Sequence, residues 1–274
     1  MTLVAGIAYE GGLTLVSDTK LSFKKDTIAS SRVFDNAMNK IALLSDDVAV
    51  AISGTNAPLI QERLFALNDK SPLAVIDHLR NEEGGFLVAA RKNPTIYVIH
   101  EGRVDRIPKG ELALEGSEAA FPIYRTLLQS GAHVFHPSEN LRASMDSMVQ
   151  GVHRHQDVGG FVLTVSETRE GFRYMAGHSR VAPPITEANG HFVAPAGRSD
   201  WLDVMILAGA GATPRAVGIY IVQARKGRLF PQNAPHHATV LPGKTQDEFI
   251  ENAANVGETL APLVSPLPGL PLRW

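Results

Sequence analysis

The period of apolar and polar positions changes along this chain, and the changes divide it. From Thr2 to Tyr9 the residues are small or β-favouring, Glu10-Gly11-Gly12 interrupts, and Leu13 to Val16 resume. Two such runs around a Gly-containing turn predict a β-hairpin. Ser17-Asp18-Thr19 closes the second run, and Ser22 to Asn39 is polar with little periodicity. A second hairpin is predicted from Lys40 to Leu44, the turn Ser45-Asp46-Asp47, and Val48 to Ile52 ending at Ser53-Gly54. The period then becomes helical. Leu59, Ile60, Arg63, Leu64 and Leu67 share one face, and Pro72 sits in the first turn of a second helix carrying Leu73, Ile76 and Leu79. Strands return at Gly85 to Ala90 and Thr95 to His100 around Asn93-Pro94. Helices follow from about Glu118 to Gln129 and from about Ser138 to Arg154, the latter with Leu141, Met145, Met148, Val149 and Val152 as its apolar face. Phe161 to Val165 and Phe172 to Ala176 predict a further hairpin.

The order is strands, two helices, strands, two helices, strands. Strand hairpins with helices supplied in pairs predict an α+β fold: two antiparallel sheets with helices outside, a four-layer αββα sandwich. The character changes near Arg180. Pro183-Pro184, Gly190, Pro195 and Gly197 mark loops, Trp201 to Ala208 suits strand or helix, Ala216 to Val222 reads as strand, and Gln246 to Leu263 as helix. Residues 1–179 are therefore expected to form the core. Residues 180–274 are expected to complete it and add an extension or tail, with a Pro-rich end suited to an extended arm.

Composition narrows the classes. A formal net charge of −2 argues against a nucleic-acid partner, which usually meets a basic patch. The chain has no cysteine, which excludes disulfides and thiol catalysis and suits a cytoplasmic location. The first apolar stretch, Leu3 to Tyr9, is short and lacks a basic leader, so no signal peptide is expected. No run approaches the roughly 20 apolar residues of a membrane helix.

Thr2 carries a hydroxyl, and removal of Met1 ahead of so small a residue would leave an α-amine beside it. That amine has an ordinary pKa of about 8. It can take the hydroxyl proton, which is one solution to the weakness of a hydroxyl nucleophile. An ammonium nearby would lower the local proton affinity, and a carboxylate would hold the ammonium. Asp18 ends the second predicted strand and Lys40 begins the third, so both can reach the sheet end where Thr2 starts the first. Gly54, where a strand turns into a helix, can offer its N–H to an oxyanion. Singly, each has a plainer reading: Asp18 as a turn cap, Lys40 as a solvated edge charge, Gly54 as a backbone requirement.

Together these residues resemble a known family. Thr2 through Thr19 is similar to the opening of a proteasome β-type subunit, and Lys40 to Leu44 with Val48 to Gly54 to its next hairpin. The intervals from Thr2 to Asp18 and from Lys40 to Gly54 match, while the loop between them is longer by about six residues. The resemblance covers about the first 55 residues closely and extends by element order to about Ala176. It implies the N-terminal-nucleophile (Ntn) hydrolase fold, with Thr2 as nucleophile and its amine as base. Lys40 would tune them, Asp18 would position Lys40, and Gly54 N–H would form the oxyanion hole. The family's Gly-Ser before the third helix fits Gly116-Ser117, placing Ser117 near the amine. Its further Asp and Ser precede a Gly-Gly that fits Gly159-Gly160. Here Val158 stands where the serine is expected, His155 where the acid is expected, and Asp157 is displaced by two positions. Either Asp157 replaces that acid through a shifted loop, or His155 stands in its place and the surroundings of the amine differ here. Leu21, Ala42 and Ile52 match positions lining the first specificity pocket and imply an apolar one. Ser22 and Asn56 match positions whose backbone pairs with an extended substrate.

The resemblance is nearest to stand-alone bacterial homologues of proteasome β subunits. It implies a threonine peptidase acting on peptides or unfolded polypeptide, a ring or helical homo-oligomer, no metal or organic cofactor, and room for an ATPase or gating partner. Two alternatives share the fold: a catalytically silent structural subunit, and an amidohydrolase acting on small amides. Two rival signals are weaker. His153 and His155, with His133 and His136 nearby, suggest metal ligands, but positions i and i+2 of a helix face different directions. Gly209-Ala210-Gly211 lacks the third glycine and following Lys-Ser/Thr of a phosphate loop.

Overall fold

The computed structural model describes residues 2–19, 38–54, 56–132, 135–150, 158–181 and 202–263. Strands β1 (Leu3–Tyr9), β2 (Gly12–Asp18), β3 (Ile41–Leu43) and β4 (Val48–Ser53) precede helices α1 (Ala57–Ala66) and α2 (Pro72–Leu79). Strands β5 (Gly85–Ala90), β6 (Thr95–His100), β7 (Arg103–Ile107) and β8 (Leu112–Gly116) follow. A 3-10 turn (Glu118–Ala120) then leads into α3 (Phe121–Gly131) and α4 (Pro137–Gln150). The remaining elements are β9 (Val162–Thr168), β10 (Gly171–Tyr174), β11 (Gly177–Val181), β12 (Leu202–Ala208), β13 (Val217–Ile221), β14 (Lys226–Phe230), β15 (Thr239–Pro242) and α5 (Gln246–Asn255).

Two of the sheets share one core. The first has strand order β10-β9-β2-β1-β8 and the second β3-β4-β5-β6-β7. Val4, Ala8, Leu13 and Leu15 of the first sheet meet Ile41, Leu43, Ala49, Ala51 and Leu87 of the second. On its other face the first sheet sets Leu3, Ala5 and Val16 against Tyr124, Leu141, Met145 and Met148 of α3 and α4. The second sheet likewise sets Ala42, Val50, Ile52 and Phe86 against Ile60 and Leu64 of α1 and Val75 and Leu79 of α2. Strands covered on both faces read as continuous apolar runs, which is why Val48 to Ile52 shows no alternation.

The expectation of two sheets needs correction, because the described residues form three antiparallel sheets. The third has strand order β11-β12-β13-β14-β15. Val204, Ile206, Val217, Ile219, Ile221 and Phe230 join the shared core, while Leu207, Tyr220 and Leu229 turn to Phe249 and Ala253 of α5. Burial on both faces makes Leu202–Ala208 a strand, settling the strand-or-helix ambiguity of that run. Asp46, in the β3–β4 turn, binds Arg173 of β10 at 3.0 Å and Arg215 at 3.2 Å, fastening the sheets at one corner. β11 runs across residues 179 and 180.

The last helix is shorter than its periodicity predicts. Thr245 caps its start, accepting from Glu248 N–H. It stops at Asn255, and Gly257 at φ +91° turns the chain so that Leu260 bridges Gly209 instead. No helix among the described residues is long and apolar enough to cross a membrane.

Candidate active site

The β1–β2 hairpin turns at Glu10-Gly11, with Tyr9 opposite Gly12 and Val4 opposite Ser17. That register carries Asp18 alongside Leu3 and leaves Thr2 just ahead of β1. In the second sheet Ile41 lies opposite Ala51, and Ile52 N–H donates to the Lys40 carbonyl at 2.8 Å. Lys40 therefore stands at the sheet end nearest Asp18. The two hairpins bring Thr2, Asp18 and Lys40 together. Lys40 Nζ lies 2.8 Å from Asp18 Oδ1 and donates to Thr2 Oγ1, and the Thr2 hydroxyl donates to Asp18 Oδ1. Leu3 N–H donates to the same carboxylate oxygen at 3.0 Å, and Gly159 N–H to Asp18 Oδ2 at 3.1 Å.

All three residues are buried, with relative exposures of 4% for Thr2, 0% for Asp18 and 1% for Lys40. Removing an ammonium and a carboxylate from water costs several kcal/mol per ion. The backbone donors to Asp18 offset part of that cost but do not explain why the charges are there. A buried Lys–Asp pair sharing one hydroxyl is costly to fold around, which makes it a candidate functional site.

No protein-family model matches the chain, and no curated protein matches it. The case for chemistry therefore rests on these side chains and on what holds them.

Lys40 is held from behind. Asn39 Nδ2 donates to the Tyr174 hydroxyl at 2.6 Å, which donates in turn to the Ile41 carbonyl. Ile41 N–H returns to Asn39 Oδ1 at 3.0 Å, and Gln61 Nε2 donates to the Asn39 carbonyl at 2.6 Å. Burial pushes the Tyr174 hydroxyl far up, so it remains a neutral donor. This network joins β10 of the first sheet to the start of β3 in the second. It was not legible as a motif; its only local trace is Asn39 immediately before Lys40.

Thr2 is held through its carbonyl, which accepts from Ser117 N–H at 2.8 Å. Gly116 sits at φ +118°, and a Cβ there would lie 2.0 Å from the Thr2 carbonyl oxygen. The glycine is required both for its dihedral and for this close approach. Gly116→Ala is expected to destabilise the fold by about 1–3 kcal/mol from backbone strain alone, and also to slow any reaction at Thr2. Thermal melts read the first effect. A melt within a degree of wild type would contradict the placement.

The remaining candidates divide. Gly54 is exposed at φ +136° directly after β4, two residues beyond the Ile52 that pairs with Lys40, which suits an N–H donor at the site's edge. Asn56 is exposed at the start of α1, its carbonyl accepting from Ile60 N–H. Ser117 is buried beside Thr2. Ala42 and Ile52 are fully buried against α1 and α2 and present no surface to a ligand. Val158 packs in the core under α3 and α4, and the adjoining Gly159 supplies the N–H to Asp18. Leu21, Ser22, His133, His153, His155 and Asp157 lie outside the described residues.

Of the histidines that suggested a metal site, His133, His153 and His155 lie outside the described residues. Among the described residues no three His, Asp or Glu are placed to hold a metal ion. His136 bonds Ser138 and meets Tyr9 edge to face. Gly209-Ala210-Gly211 is a turn tied to the segment after α5 through Ala210 N–H to the Thr259 carbonyl.

Proposed function

We propose that this chain is a threonine-type hydrolase of the proteasome β-subunit kind, built on a four-layer αββα Ntn-hydrolase fold and cleaving acyl–nitrogen bonds with Thr2. The observation that carries the proposal is the buried convergence of Thr2 Oγ1, Asp18 and Lys40 at the end of two facing sheets. The sequence resemblance supports it through the same residues. The alternation of helix pairs around two sheets with a common core supports the fold.

The reaction requires the α-amine of Thr2 to be free, as it is once Met1 is removed. Thr2 Oγ1 attacks the acyl carbon and its proton passes to the amine. The Lys40 ammonium beside Oγ1 stabilises the negative charge developing there, and Asp18 keeps that ammonium in place. Gly54 N–H donates to the oxyanion of the tetrahedral intermediate. When the C–N bond breaks, the α-ammonium gives its proton to the leaving amine and an ester to Thr2 remains. Water, deprotonated by the same amine, then attacks the ester and restores the hydroxyl. Peptides and unfolded polypeptide are the substrates the resemblance favours, turned over in a closed homo-oligomer. A monomeric mass in solution would count against the assembly.

Thr2→Ala removes the nucleophile and should lower peptide hydrolysis by at least about 10³-fold, while Thr2→Ser keeps a measurable fraction. Undiminished turnover by the alanine variant would sink the proposal. One observation favours a second reading, a silent structural subunit. Val158 is packed in the core where the family's serine would serve the terminal amine.

A further inference from the structure

A carboxyl–imidazole contact spans the two facing sheets beside the candidate site, and the proposed chemistry leaves it unused. In the second sheet Ser53 of β4 lies opposite Gly85 of β5, and Gly85 lies opposite His100 of β6, so the three form one row across the strands. Gly54 follows Ser53 directly. In the first sheet Glu115 of β8 lies opposite Val4 of β1, with Gly116 and Ser117 next in sequence. Val4 faces the shared core, so Glu115 opposite it projects toward the second sheet.

The Glu115 carboxylate reaches across and lies over the row. Its Oε2 is 3.2 Å from His100 Nδ1, and a Cβ on Gly85 would lie 1.9 Å from that oxygen and 2.8 Å from Ser53 Oγ. Gly85 thus leaves the space the carboxylate fills. Ser53 Oγ also donates to the Gly85 carbonyl at 3.0 Å. Glu115 is buried while His100 is 57% exposed, so the pair links the interior to solvent.

We infer that Glu115 and His100 are positioning residues: their hydrogen bond sets the separation between β1, which Thr2 precedes, and β4, which Gly54 follows. This rests on the proposal that Thr2 is the nucleophile and Gly54 the oxyanion donor. Ser117, directly after β8, holds the Thr2 carbonyl through its N–H. β5 pairs with β4 up to Ser53. A change at Glu115 therefore reaches both halves of the site at once.

Protonation enters through the same contact. Burial raises the Glu115 carboxyl, Glu118 adds to the rise, and His100 and the Gly116 N–H oppose it. Ser53 contributes only an uncharged hydroxyl. The folded state therefore holds the Glu115 proton more tightly than the unfolded chain does. Stability falls as pH climbs from the ordinary carboxylate range through the raised value, and a group that cannot titrate removes that slope.

The test uses the full chain of wild type, Glu115→Gln, His100→Ala and Thr2→Ala, with a threonine-directed peptide epoxyketone as probe. Adduct formation is followed by intact mass between pH 5 and 9, and melts are recorded over pH 4 to 8. His100 is exposed, so its alanine variant folds even if the Glu115→Gln chain does not. The expected result is adduct on Thr2 in wild type, formed about tenfold more slowly in both variants, with the acid limb of the rate profile moved. The Glu115→Gln melts should also flatten over the acid range. Wild-type labelling with superimposable profiles in both variants overturns this inference alone. No adduct on wild-type Thr2 overturns the reading it rests on.

Discussion

Lys40→Ala is expected to slow adduct formation and hydrolysis at Thr2 by about 10³-fold or more. The ammonium donates to Thr2 Oγ1, so it acts directly on the atom that must become negative. Asp18, which also bonds the hydroxyl, carries the opposite sign and cannot take its place. The same substitution should lower stability. It leaves the fully buried Asp18 without its cation, a change that typically costs about 3–5 kcal/mol, or roughly 10 °C in melting temperature for a chain of this size. Leu3 N–H, Gly159 N–H and the Thr2 hydroxyl still donate to the carboxylate, which places the cost toward the lower end. Lys40→Met retains the aliphatic stem and loses only the charge, so it excludes a packing void as the cause of either effect. Rates measured well below the melting temperature report the chemistry. A Lys40→Met chain that hydrolyses peptides within threefold of wild type would remove Lys40 from the mechanism.

Asp18→Asn is the second large expectation. The amide keeps the shape but replaces one acceptor oxygen with a donor. Asp18 Oδ1 accepts from Thr2 Oγ1, Leu3 N–H and Lys40 Nζ, and Oδ2 from Gly159 N–H. Whichever way the substituted amide turns, its NH₂ confronts at least one N–H, and the Lys40 ammonium loses its counter-charge. The expected result is a rate loss of about 10³-fold with a stability loss of about 3 kcal/mol. Circular dichroism should show the strands intact at low temperature. A variant with wild-type rate and melting temperature would show that Asp18 neither holds Lys40 nor supports the site.

The parts of this arrangement legible from residue spacing are those fixed by strand ends. Thr2, Asp18 and Lys40 follow from where two hairpins begin and stop. A Gly-containing turn sets the register of the first, and a one-residue slip would send every side chain to the other face. The existence of α1 and α2 was legible from their period, but the faces were only partly so: Ile60, Leu64, Ile76 and Leu79 are buried as expected, while Leu59 and Leu73 are exposed at 45% and 72%. β8 was not, because Leu112-Ala-Leu-Glu-Gly carries a carboxylate on its inner face and exists as a strand through its pairing with β1. β7 was hidden by its exposure at a sheet edge, with Arg103, Asp105 and Arg106 in solvent. In the third sheet β14 and β15 are too short to declare themselves, and each forms on its neighbour, β14 on β13 and β15 on β14.

The burial of the site was the least legible property. A lysine opening a predicted strand reads as a solvated charge, and only the closing of one sheet over the other makes it a desolvated one. The roles of Gly116 against the Thr2 carbonyl and of Gly85 beneath Glu115 belong to the same class. Each joins residues distant in sequence, and neither leaves a local pattern. Ala42 and Ile52 show the reverse case. Their positions suggested a binding surface, yet alternation along β3 and β4 turns them into the core under α1.

All the chemistry proposed here requires Thr2 to be a nucleophile with a free amine. The most direct test of that requirement is peptide mapping by mass spectrometry of the wild-type protein after incubation with a threonine-directed peptide epoxyketone. The expected result is an N-terminal peptide beginning at Thr2 and carrying the probe on both its amine and its hydroxyl. An unmodified peptide that still retains Met1, from protein shown to be folded, would contradict it.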